Sequence, residues 1–294
     1  MLNTQWLACD DTRIFVRQWH APRPIKGVVH VLHGMMEHSG MYHEWALKLN
    51  ALGWDVVAHD HAGSGLTISN SWGRDALPMD GDTHMLTTAM HVKDWLLAHY
   101  AGLPMVRYGH SMGAFLAVNM QQKDSAGNAM ILSAPMHEPK AMLTVKQGLV
   151  WALAQVLGVN ARANLAHALT FNRLNRHFAP TFTPVDWVSS DESVLNLYMD
   201  DPLCGNTATW GYYYSLITCF KRAINAPGPW PKMMMIVGEH DPLSTGGKAV
   251  QNRFKAMASV AEHAEFVCVP GARHKIEGSG GDGIANVGRF LNQL

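Results

Sequence analysis

The chain has 294 residues, 48% of them hydrophobic, enough for one large core and typical of an α/β domain carrying an insertion. Its 23 Lys and Arg balance 23 Asp and Glu, so nothing in the net charge attracts a polyanion and nucleic acid is not an expected partner. Cys9, Cys204, Cys219 and Cys268 lack CxxC spacing and read as buried thiols of a cytoplasmic protein. The early acidic residues Asp10 and Asp11 argue against a signal peptide, and no run reaches the roughly 18 apolar residues of a membrane span.

In chain order, strand-like runs cover residues 13–19 and 27–32, and an amphipathic helix follows over 42–52. A buried-strand run at 54–58 leads into a loop rich in Gly and Ser, and 83–100 has helical period. A short strand at 104–108, a helix over 111–122 and a strand at 129–132 come next. Late strands fall at 233–237 and 266–269. Strands alternating with helices of this length predict a mostly parallel central sheet with helices on both faces. Residues 136–205 break the rhythm. They hold helical pieces such as 148–158, are punctuated by Pro180, Pro184 and Pro202, and contain no convincing central strand. The expected organisation is a core of 1–135 and 206–294 with a helical cap, 136–205, over the strand ends.

Gly109-His110-Ser111-Met112-Gly113 is the only GxSxG in the chain. A short apolar strand precedes it and a helix follows, the context that a nucleophile elbow requires. A serine hydroxyl is too weakly acidic to attack unaided, so a base must take its proton and a carboxylate must orient that base. In an elbow fold the acid and then the His follow the serine, each on a loop after a strand. Asp241 follows the run 233–237 and His274 follows 266–269, which selects them from the 17 histidines and 23 acids. Glu239 is a rival acid, and His240 and His263 are rival bases off the last strand-to-helix loop. Two backbone N–H groups should stabilise the developing oxyanion: that of Met112, after the serine, and that of Met35, on the loop after the early strand. His33 beside it reads as a structural hydrogen-bonding residue.

Two further signals are discounted. His59-Asp60-His61 has the look of a metal pair but lacks further ligands at suitable spacing and reads as a turn. The glycine run 278–283 resembles a phosphate loop but lacks its lysine and a preceding strand. The apolar segment 148–159 is too short to span a bilayer and reads as a lid helix packed on a pocket; transient membrane-surface contact through the cap is compatible with it.

Four segments carry a wider resemblance: residues 33–42, His-Gly-Met-Met-Glu-His-Ser-Gly-Met-Tyr; residues 58–65, Ala-His-Asp-His-Ala-Gly-Ser-Gly; Gly102-Leu103-Pro104 running into the GxSxG; and Gly238-Glu239-His240-Asp241 with His274. The chain resembles the monoacylglycerol lipase and lysophospholipase group of α/β hydrolases, also called the serine aminopeptidase-like group. The likeness covers the core, and Asp201-Pro202-Leu203 looks like the family's return from the cap. It implies an α/β-hydrolase fold and hydrolysis of a small-molecule ester or lipid through an acyl-serine intermediate, with no cofactor and no metal. It also implies that Glu37, Met41 and His110 contact substrate. The family usually carries Arg where Met41 stands, and Arg and His where Ala62 and Ser64 stand, so weaker grip on a glycerol head group is expected here. An aminopeptidase or amidase on the same residues is the alternative, with Glu138, Asp186, Asp191 and Glu192 available to a substrate amine. A non-catalytic binding protein on the same scaffold is a further one.

Overall fold

The structure is a computed structural model that describes residues 1–10, 12–69, 71–278 and 281–294. Most of the glycine run 278–283 is described, but Ser279 and Gly280 at its centre are not, so the phosphate-loop reading lies outside the described residues.

Eight strands form one sheet: β1 Leu2–Cys9, β2 Thr12–Trp19, β3 Gly27–Leu32, β4 Trp54–His59, β5 Met105–His110, β6 Ala129–Ser133, β7 Trp230–Gly238 and β8 Ala261–Val269. Their order is β1-β2-β4-β3-β5-β6-β7-β8. Pairing is antiparallel for β1 with β2 and β2 with β4, and parallel from β4 to β8. Every residue of β3, β4, β5 and β6 is buried. That explains why these strands read as continuous apolar runs without alternation: helices cover both faces.

The helices are α1 His43–Ala51, α2 Gly81–His99, α3 Met112–Lys123, α4 Lys140–Leu157, α5 Asn164–His167, α6 Arg173–Arg176, α7 Glu192–Asp200, α8 Trp210–Ile224, α9 Gln251–Ala258 and α10 Gly281–Leu291. One core unites α2, α3 and α8 with α4 and the inward side chains of β6 and β7. A second lies on the other face among α1, α10 and the sheet, with Tyr198 of α7 in it. The described residues between β6 and β7 contain no strand, and α4 to α8 fill that interval. No helix is long and apolar enough to cross a membrane among the described residues.

Three sequence expectations are corrected. β1 was not foreseen: it is an edge strand whose side chains are mostly exposed, so burial imposes no alternation on it. β8 starts at Ala261 rather than 266, because Glu262 and His263 on this opposite edge face solvent. Cys268 is exposed, whereas Cys9, Cys204 and Cys219 are buried as expected.

Candidate active site

Ser111 joins β5 to α3 with φ 53° and ψ −114°, a left-handed conformation that strains a residue bearing a Cβ. The flanking residues have no room for side chains. A Cβ on Gly109 would lie 2.3 Å from the Gly113 carbonyl oxygen, and one on Gly113 would lie 2.0 Å from that of Leu32. The tight turn lifts the Ser111 hydroxyl off the sheet and leaves the Met112 N–H at the start of α3. There it has no carbonyl partner within its own helix, and the helix dipole favours negative charge.

The loops after β7 and β8 bring Asp241 and His274 to this hydroxyl. His274 Nε2 is 3.0 Å from Ser111 Oγ, and Nδ1 is 3.0 Å from Asp241 Oδ1. An ionised carboxylate only accepts, so Nδ1 donates and Nε2 presents a lone pair to the serine. Asp241 is 1% exposed, and its Oδ1 also accepts the Leu243 N–H at 3.0 Å. The rivals sit elsewhere: the Glu239 carboxylate is mostly in solvent and accepts the Gly271 N–H at 2.9 Å, while His240 and His263 are exposed.

The β3 loop closes over the serine, since a Cβ on Gly34 would come within 3.4 Å of Ser111 Cβ. Met35 and Met112 both border the cavity beside Ser111. Backbone bonds from residues 186–189 clamp the His274 loop. Lys275 N–H donates to the Val188 carbonyl at 2.7 Å, and Arg273 Nη1 donates to the carbonyls of Asp186 and Ser189. The Trp187 ring lies 5.1 Å from the His274 ring.

Glu37 borders the cavity, but its oxygens are committed. Oε1 accepts from Gly34 N–H and Tyr42 Oη, each at 2.6 Å, and Oε2 pairs with Lys275 Nζ at 2.6 Å. Burial alone would raise this carboxyl's pKa, yet the Lys275 ammonium and two nearby histidines hold it well below the usual range. His110 places Nδ1 3.2 Å from Ser133 Oγ, and its ring lies 4.9 Å from that of His274. Burial depresses its pKa to about 4 against the opposing pull of Glu277 and Glu37, so the ring that it presents at the cavity border is neutral. Lys275 and Glu277 escaped the sequence reading. Charged residues just past a motif histidine look like surface, and here both are buried, Glu277 accepting from Tyr108 and Ser133 hydroxyls.

Met41 is corrected. It is 6% exposed, packs in the core with Tyr42 and Trp45, and does not border the cavity. Ala62 and Ser64 are likewise buried and away from it. Met41→Arg is therefore expected to lower the melting temperature, because a buried cation loses its hydration. The relative rates on a methyl ester and a monoacylglycerol of one acyl chain should stay unchanged; a selective gain on the monoacylglycerol would restore the head-group role.

The cavity measures about 340 Å³ and opens on Ser111 and His274. Leu143, Leu149 and Leu153 of α4 and Tyr213, Leu216 and Phe220 of α8 make much of its wall. Of Glu138, Asp186, Asp191 and Glu192, only Glu138 borders it, and that carboxylate pairs with Lys146 at 2.6 Å. Asp186 accepts from the Phe182 and Thr183 N–H groups, Asp191 caps α7, and Glu192 is exposed.

Among the described residues one group, His38, Asp201 and Cys204, is compact enough to share an ion. Its chemistry does not suit one. His38 Nδ1 accepts the Gly40 N–H at 3.1 Å, so the neutral ring carries its proton on Nε2 and donates to Asp201 Oδ2 at 2.8 Å. The nitrogen facing the group is a donor, not a ligand. His59 and His61 hydrogen-bond to each other; His59 is the last residue of β4, and the turn comes just after the expected place, from His61 to Ser64.

The sequence profile of the family described as "Serine aminopeptidase, S33" matches residues 23–278. The chain belongs to that family. Human monoglyceride lipase is 33% identical to it over 140 residues, 47% of this chain and 45% of that one. The monoacylglycerol lipase of Mycolicibacterium smegmatis is 29% identical over 201 residues, 65% and 61% of the two chains. This S33-family chain thus spans about half the length of the first curated relatives it matches. The α/β-hydrolase fold is shared with solved structures at low identity. A carboxyl esterase from Bacillus coagulans, in complex with glycerol, has a TM-score of 0.84 at 20% identity, covering 100% of this chain and 98% of that one. A lipase in its open form gives 0.86 at 19%, covering 100% and 99%.

Proposed function

We propose that the protein is a serine hydrolase that cleaves carboxylic esters with an apolar acyl chain through an acyl-Ser111 intermediate. The observation that carries this reading is the hydrogen-bonded line Asp241–His274–Ser111 at the mouth of an apolar cavity. In the acylation step His274 Nε2 takes the Ser111 proton as Oγ attacks the ester carbonyl, and the oxyanion is received by the N–H groups of Met35 and Met112. His274 then gives that proton to the departing alcohol. A water repeats the sequence, releasing the acid and restoring the serine.

Supporting the ester over the amide reading, the acids a substrate ammonium would need are engaged elsewhere or lie off the cavity. Monoacylglycerols, lysophospholipids and simple alkyl or aryl esters are the substrate classes in view, the first by likeness to the monoglyceride lipases. Residues 136–205 act as the cap. Its α4 exposes Val145, Leu149 and Trp151, and residues 140–176 carry five Lys or Arg and no acid. That composition suits transient contact with a lipid surface. A panel of aryl esters of graded chain length set against aminoacyl amides tests the reading, with hydrolysis confined to the esters as the expected result.

Chain length is expected to be set where α4 meets the cavity. Leu149 and Leu153 border it, while Trp151 and Leu157 point to solvent. Each acyl methylene buried contributes about 0.8 kcal/mol, so losing room for three of them shifts specificity by roughly a hundredfold. Leu153→Trp should shorten the preferred acyl chain in kcat/KM profiles, and Trp151→Ala should leave the profile in place. An unchanged profile for Leu153→Trp would put the acyl site elsewhere.

A further inference from the structure

Four histidines, His30, His33, His59 and His61, are all 0% exposed and touch one another in a row behind the β3 loop. The contacts run His30 Nε2 to His59 Nδ1 at 3.1 Å, His59 Nε2 to His61 Nδ1 at 3.0 Å, and His61 Nε2 to the His33 carbonyl at 3.2 Å. The His61 backbone N–H donates to His33 Nε2 at 3.0 Å, and His33 Nδ1 lies 2.7 Å from the Gly34 carbonyl. The His33 and His61 rings stack at 3.9 Å.

These contacts fix every proton. His33 Nε2 faces an N–H and must accept, so Nδ1 carries the hydrogen and donates to Gly34. His61 Nε2 faces a carbonyl and must donate, so in a neutral ring Nδ1 accepts from His59 Nε2–H. His59 Nδ1 then accepts from His30 Nε2–H. The chain ends on a bare His30 Nδ1 lone pair, and that atom has no hydrogen-bond partner. Burial supports the neutral state throughout, depressing His30 to about 3 and His33 to about 4, with His59 and His61 also well below the ordinary range.

The receiving end is the candidate oxyanion loop. The Gly34 carbonyl and the Met35 N–H belong to one planar peptide, so a bond that fixes the oxygen also fixes the direction of the N–H. A donor on the carbonyl also polarises the amide and strengthens that N–H as a donor. We propose that His30, His59 and His61 are positioning residues that act through His33: a one-way chain of neutral imidazoles that ends on the His33 carbonyl, with the His33 ring held by the His61 backbone N–H, and so aims the Met35 N–H at the oxyanion. The proposal rests on the ester-hydrolase reading.

His59→Leu cuts the chain at its middle, and His59→Gln can keep an acceptor and a donor in it. Ester kinetics are measured per active site, counted with a fluorophosphonate, so that loss of folded enzyme does not register as loss of rate. Oxyanion donors act in the transition state more than in the ground state, so the expected result for His59→Leu is a fall in kcat of about tenfold with KM nearly constant. His59→Gln should recover most of it. An unchanged kcat per titrated site, with only the melting temperature lowered, reduces the row to packing and overturns the proposal. Should His59→Leu fail to fold, nitrogen-15 imidazole spectra of the wild type decide. Nε2–H tautomers for His30, His59 and His61 with Nδ1–H for His33 support the chain; a reversed or cationic ring at any of the four overturns it. Failure of the underlying reading looks different, since wild-type Ser111 would then take no fluorophosphonate.

Discussion

Replacing Ser111 by Ala is expected to reduce ester hydrolysis by about 10^4- to 10^6-fold while leaving the fold and its melting temperature in place. Ser111 lines the cavity and places its hydroxyl 3.0 Å from a base. Without it only the residual catalysis of the oxyanion donors and the binding wall remains. Asp241→Asn should cost about 10^4-fold, because an amide can offer His274 Nδ1 a donor and so favour the tautomer with its hydrogen on Nε2, which cannot accept the serine proton. Glu239→Gln should change little, since that half-exposed carboxylate holds the Gly271 N–H and lies 3.9 Å from the exposed His240 ring, away from His274. Turnover measured for the three variants checks the set. A tenth of wild-type activity surviving in Ser111→Ala, or Glu239→Gln harming more than Asp241→Asn, contradicts the assignments.

The second large effect is acid sensitivity. His30, His33, His59, His61 and His110 are all held below the ordinary histidine pKa of 6.5 by burial, His33 and His110 to about 4 and His30 to about 3. A base with a depressed folded pKa binds its proton more readily in the unfolded chain. Stability is therefore full above about pH 6.5 and is lost as pH falls from there towards the folded values. At pH 5 the loss is about 2 kcal/mol for each of His30, His33 and His110, roughly 6 kcal/mol together and comparable with the stability of a whole domain, and His59 and His61 act in the same direction. Glu37 and Glu277, with carboxyl pKa values held below the usual range, add to the loss only below about pH 4.5. Melting temperatures should fall by roughly 10 °C or more between pH 7.5 and pH 5, mostly above the carboxylate range. A melting temperature constant to pH 5 would mean that these rings are charged or solvated in the folded state.

The central sheet and the candidate site were legible for different reasons. β3 to β6 are short apolar runs because both of their faces are covered, and Ser111, Asp241 and His274 are marked by their places after β5, β7 and β8. What escaped depends on facing rather than on spacing. β1 is exposed and carries no pattern. Met41 lies four residues from Glu37, near enough in sequence to suggest the cavity, yet its side chain turns into the core. Lys275 and Glu277 look like surface until Glu37, Tyr108 and Ser133 are seen to enclose them. The histidine row was hidden by abundance: among 17 histidines, only the pairing of β3 with β4 brings His30 and His59 side by side.

The most direct test of the ester-hydrolase reading is reaction of the wild-type protein with a fluorophosphonate, followed by intact mass and peptide mapping alongside residual esterase activity. The predicted result is one adduct per chain, on Ser111, with activity lost in proportion to labelling. Full activity in protein that carries no adduct, or an adduct on another residue that accounts for the loss, contradicts it.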